Sequence, residues 1–116
     1  MAAITRIECG ARMSKAVVHG DTVYLAGIVA SDTKLDITGQ TKDVLAQIDD
    51  LLAKAGTDKS KLLRTNIWIT DMKNFAAMNA VWDGWVSQGN TPARATVEAG
   101  LATPDYLVEI MVVAAK

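Results

Sequence analysis

The chain has one cysteine, one histidine, two prolines and a 5% share of aromatic residues among its 116 residues. Each scarcity excludes something. Cys9 has no second thiol, so no internal disulfide forms, and it lacks companions for a metal site. It is expected to be a small packed residue near a terminus. The lone histidine, His19, stands beside Gly20-Asp21, where a surface or packing role is expected rather than catalysis. No apolar run approaches the length of a membrane span, and the segment Met1 to Glu8 lacks the continuous apolar stretch of a signal peptide. The expectation is a cytoplasmic protein with no membrane partner. Charge of one sign is also missing: the net charge is −1 and no Lys/Arg cluster stands out. That argues against a nucleic-acid partner.

What is present is apolar content, 50% of the chain, with 22% charged residues. This composition supports a single domain over residues 1–116 with a real core. Residues 16–19 and 22–26 flank Gly20-Asp21 and read as a β-hairpin with a two-residue turn. Gly27 ends the second strand, and Ile28-Val29-Ala30 extends the pairing. From Thr38 to Ala55 the period becomes helical, with Val44, Leu45, Ile48, Leu51, Leu52 and Ala55 on one stripe and Gly56 as the stop. Leu63 to Thr70 reads as a strand with Thr65, Ile67 and Ile69 on one face and Arg64, Asn66 and Trp68 on the other. Asp71 or Asn74 opens a second helix with Phe75, Met78, Trp82 and Trp85 along one side and Gly89 at its end. Strands over 93–101 and 106–114, joined through Thr103-Pro104-Asp105, close the chain. The order ββ(β)αβαββ gives a two-layer α+β domain, two helices on one sheet. The last strand is largely apolar on both faces. One helical layer covers only one face, so a second copy of the chain is the expected cover for the other.

Two lone charges break the apolar pattern: Arg94 in Pro92-Ala93-Arg94-Ala95-Thr96-Val97-Glu98, and Glu109 in Tyr106 to Ala114. Charges are rarely buried unless paired. If the two closing strands form a hairpin with Thr96 opposite Glu109 and Arg94 opposite Met111, Arg94 and Glu109 become diagonal neighbours, roughly 7–8 Å apart at the backbone. Two readings of that pair stay open. It is a structural ion pair at a subunit interface, or it is an arginine that binds a substrate carboxylate beside a proton-transferring glutamate.

The same residues resemble the RidA/YjgF family. The resemblance runs through Val23-Tyr24-Leu25-Ala26-Gly27, Thr65 to Met72, Phe75 to Trp82, the Pro92-Ala93-Arg94 segment and Val108-Glu109-Ile110. It implies a chorismate-mutase-like subunit with a mixed sheet, a homotrimer with clefts between subunits, and hydrolysis of 2-imino or 2-enamino acids to 2-keto acids and ammonia. It implies no metal or organic cofactor. The family's carboxylate-binding arginine falls on Arg94 and its water-positioning glutamate on Glu109. Where the family often has a tyrosine, a cysteine and a glutamine, this chain has Met13, Thr96 and Ile28, which implies a more apolar or reshaped cleft. In the resulting scheme Arg94, Met13 and Ile28 bind substrate, and Glu109 with the Thr96 hydroxyl holds and deprotonates water. A small carboxylate-bearing metabolite is the expected partner. The alternatives are a carboxylate-binding sensor without turnover, and a ribonuclease.

Overall fold

The computed structural model describes residues 2–116. The first strand, β1 (Ile4–Cys9), pairs antiparallel with β2 (Ser14–His19), which turns through Gly20 into β3 (Thr22–Leu25). Gly20 has φ 60°, the left-handed conformation a two-residue hairpin turn requires. The chain breaks at Ala26-Gly27 and resumes as β4 (Ile28–Val29), and both β3 and β4 pair with β7 (Val108–Ala115). Helix α1 (Ile37–Lys54) follows, capped by the Asp36 carboxylate, which accepts from the Gly39 N–H. Strand β5 (Leu62–Ile69), helix α2 (Phe75–Trp85) and strand β6 (Ala93–Glu98) complete the elements.

The sheet runs β1-β2-β3-β7-β5-β6, with β5 and β6 parallel and the other pairs antiparallel. It is the expected mixed sheet under two helices. The α1 stripe is buried throughout, as are Thr65, Ile67 and Ile69 on β5 and Val108, Ile110, Val112 and Ala114 on β7. These alternating positions define the helix-covered face. The other face carries Met111, Val113, Asn66 and Trp68, all half-buried, with Tyr24 46% and Val97 48% exposed. A largely apolar sheet surface thus stands open, as the largely apolar last strand suggested. Among the described residues no helix is long and apolar enough to cross a membrane.

Four expectations are corrected. β1 has no counterpart in the sequence reading, because Ile-Thr-Arg-Ile-Glu-Cys is polar at half of its positions and lies exposed on the sheet edge. Cys9 is exposed rather than packed. Helix α2 ends at Trp85, four residues before Gly89, with Phe75 exposed and only Met78 and Trp82 of the anticipated stripe buried. Finally, β6 and β7 do not form a hairpin: β5 lies between them. Residues 99–107 carry the chain across the end of β5, where Ala99 N–H donates to Ile69 and Thr70 N–H to Leu107. Buried Gln40 clasps this crossing, its Nε2 donating to Asp105 O at 3.0 Å and its Oε1 accepting from Leu107 N at 2.9 Å.

Candidate functional site

The strand pairing decides where the two lone charges point. On β6 and β5, Arg94 is level with Thr65 and Thr96 with Ile67. On β5 and β7, Trp68 is level with Glu109 and Asn66 with Met111. Thr65 and Trp68 alternate to opposite faces. Arg94 and Thr96 therefore face the helices, and Glu109 faces the open side. The hairpin register, with Arg94 and Glu109 as diagonal neighbours, does not occur. The parallel pairing of β6 with β5 replaces it, because α2 returns the chain to the far edge of the sheet. An ion pair between them within one chain falls with that register.

Arg94 is half-buried and held by α2. Its Nη1 donates to Asn79 Oδ1 at 2.8 Å, and its guanidinium carbon lies 5.3 Å from the Trp82 ring centroid. Asn79 and Trp82 are three residues apart in one helix, which puts both on the side facing β6. No carboxylate of the described residues pairs with Arg94. A guanidinium has five N–H donors, so most of them remain free for a planar anion. Both lie in the Phe75 to Trp82 segment that carries the family resemblance. The structure gives both a shared task, orienting the arginine.

Glu109 is held by space rather than by partners. A Cβ built on Gly27 would collide with Glu109 Oε2 and lie 2.9 Å from its Cδ. The carboxyl group therefore occupies the room that the glycine leaves. It forms no hydrogen bond or ion pair among the described residues. Trp68 is its neighbour on β5 and Val29 on β4.

Thr96 lies on the Arg94 face, and its Oγ1 is buried without a hydrogen-bond partner. Thr65 Oγ1, on the residue level with Arg94, is in the same state, and Thr65 is 0% exposed. Two orphan hydroxyls thus lie on the sheet face beneath the arginine. Sequence alternation had placed Thr65 in the core without marking its hydroxyl. Met13 is 50% exposed in the loop joining β1 to β2, and Ile28 is 1% exposed in the core, level with Ile110. The structure thus brings Thr96 together with Arg94, leaves Glu109 and Met13 apart from them, and withdraws the Ile28 side chain from any cleft. The concavities of the single chain lie elsewhere: the Gly10–Met13 loop borders one, and the space between α1 and α2 forms another. Among the described residues no group of three or more His, Cys, Asp or Glu is placed to hold a metal ion.

A family model described as endoribonuclease L-PSP matches residues 3–116. The chain is 47% identical over 112 residues to a RutC family protein, YoaB, of Escherichia coli, covering 97% of each. It is 46% identical over 112 residues to a RutC family protein of Haemophilus influenzae, covering 96% of this chain and 97% of that one. A crystal structure of a YjgF family protein from Neisseria meningitidis superposes with a TM-score of 0.96 at 45% identity, covering 98% of this chain and 95% of that one.

Proposed function

We propose a hydrolytic function for this chain, which belongs to the endoribonuclease L-PSP family, the YjgF family: deamination of 2-imino or 2-enamino acids in clefts shared between subunits. The observation that carries the reading is two charged side chains, each held in place without a counterion. Arg94 offers free donors for a substrate carboxylate. Glu109 offers a carboxylate for proton transfer. Because they point to opposite faces of one sheet, one ligand meets both only if Arg94 comes from one subunit and Glu109 from the next. The open apolar face supports that assembly, and a homotrimer closes three equivalent clefts. Met13 on its exposed loop contributes from a neighbouring copy.

In this scheme a water held by Glu109 attacks the imine carbon. A C–O bond forms, the C=N π pair moves to nitrogen, and the proton that Glu109 takes from the water passes to that nitrogen. Glu109 then takes the hydroxyl proton of the resulting aminoalcohol and gives it to the nitrogen as the C=O π bond forms and the C–N bond breaks, so that ammonia departs and the 2-keto acid remains. Imines are electrophilic, so orientation and proton transfer account for the catalysis required. Arg94 with the Thr96 hydroxyl orients the substrate.

The test is a coupled assay in which an amino-acid oxidase generates the 2-imino acid in situ. Wild-type protein is expected to accelerate 2-keto acid release and Arg94→Ala to lose the acceleration. Equal, slow hydrolysis by both sinks the reading. The binding-module alternative is separated by melting-temperature shifts with a 2-keto acid: a shift that depends on Arg94 without turnover supports a sensor.

A further inference from the structure

A groove of about 400 Å³ lies between α1 and α2, in the layer that turns away from the open sheet face. Its lining includes neither Arg94 nor Glu109, although Trp82, which lies under the Arg94 guanidinium, also packs against Trp85 with ring centroids 5.4 Å apart. Leu45 and Val81 provide apolar lining, while Ala46, Ala80 and Gly84 keep its walls low. A Cβ at Gly84 would meet no atom within 4 Å, so the glycine is not demanded by helix packing. The hollow is unfilled space that a ligand can enter.

One wall is the Trp85 indole. Its Nε1 donates to Asp49 Oδ2 at 2.9 Å, which fixes the ring plane and engages the one carboxylate of the groove. The Lys59 ammonium lies 5.1 Å from the ring centroid, and Lys42 stands on the other helix. Neither lysine forms an ion pair among the described residues. The lining is thus an oriented aromatic plane, an apolar floor and two lysines against a single carboxylate, a net positive charge. Small-ligand sites combine these parts at volumes of about 300–1,000 Å³. The matching chemistry is a flat apolar body with a single anionic group: the ring stacks on Trp85 and the anion lies between the lysines. We propose that the interhelical groove is a second ligand site, selective for a small aryl carboxylate.

The probe is 2-naphthoate, titrated into isotope-labelled full-length protein and followed by backbone amide chemical shifts. The expected perturbations cluster on residues 42–49 and 80–85, and they persist in Arg94→Ala. Gly84→Leu fills the groove and is expected to abolish them. Lys42→Ala and Lys59→Ala are each expected to weaken binding about threefold, the scale of an exposed charge pair, and uncharged 2-naphthamide is expected to bind more weakly than the carboxylate. Perturbations that disappear in Arg94→Ala, or equal affinity for naphthamide, overturn the proposal. Undiminished binding by folded Gly84→Leu does the same. Should that variant not fold, the double substitution Lys42→Glu/Lys59→Glu decides: loss of naphthoate binding supports the site, and unchanged affinity overturns it.

Discussion

Arg94 and Glu109 are the same kind of anomaly, a single charge in an apolar strand, yet the fold prepares them by opposite means. On the helix-covered face, Arg94 is fixed by partners: an amide oxygen 2.8 Å away and an indole face. On the open face, Glu109 is admitted by a missing atom, the Cβ that Gly27 lacks. The first arrangement uses side chains of α2, and the second uses backbone at the break between β3 and β4. Contacts orient a charge, whereas a vacancy only makes room for one.

The sharpest way to break this comparison is to remove one member. Arg94→Ala is expected to lower kcat/KM for a 2-imino acid about a hundredfold or more, the scale of a lost charge-assisted pair. Arg94→Lys should recover little, because a lysine cannot reproduce the planar fork. Mixing Arg94→Ala and Glu109→Ala subunits before assembly tests the sharing directly. Random association leaves about a quarter of the clefts with both native residues. No recovery on mixing would place both groups at separate sites.

Next in size is Gly27→Ala. The added methyl would displace the Glu109 carboxyl, and activity is expected to fall about tenfold to a hundredfold, matching Glu109→Gln. A melting temperature near that of wild type would show that space for the carboxylate, and not folding, was lost. Asn79→Ala removes the partner of Arg94 while sparing the charge. Steady-state kinetics should show a KM raised about fivefold, with a smaller change in kcat. Thr65→Val replaces an orphan hydroxyl beneath the arginine with a methyl group. It is expected to raise unfolding stability by about 1 kcal/mol in a denaturant titration, against the usual direction of core substitutions.

A charge paired at the surface gives the lower bound. Hydrogen bonds to Asp50 and then Glu8 raise the Lys54 pKa above its ordinary value. The stabilisation is fully present below the ordinary lysine pKa and is lost as pH rises through the raised one. Only a slight alkaline decline in melting temperature, absent in Lys54→Met, is expected, because both partners are exposed.

The helices and central strands are legible because their apolar periods are strong. The α1 stripe and the alternation along β5 survive intact in the structure. The two lone charges are equally visible as anomalies. Their relationship is not, because alternation gives each strand a face but says nothing about which strand lies beside which. Thr103-Pro104-Asp105 reads as a hairpin turn, and a turn does form there, with Tyr106 N–H donating to Thr103 O. It belongs to a longer crossing that Gln40 secures from α1, through contacts 65 and 67 residues apart in the chain. Local sequence carries no record of that clasp. β1 escapes notice for a different reason: an exposed edge strand needs few apolar residues, and Ile7 alone of its six is even half-buried.

The position of β7 has a consequence for how the protein is made. The last strand in chain order is central in the sheet, paired with β3, β4 and β5. As the chain leaves the ribosome, the β1–β3 ribbon and the β5-α2-β6 unit emerge first, with nothing to join them. The sheet closes only when this strand threads between two waiting halves, so folding is governed by long-range contacts. During that interval both halves expose unpaired strand edges, and the growing chain is most vulnerable to aggregation just before its last strand is available.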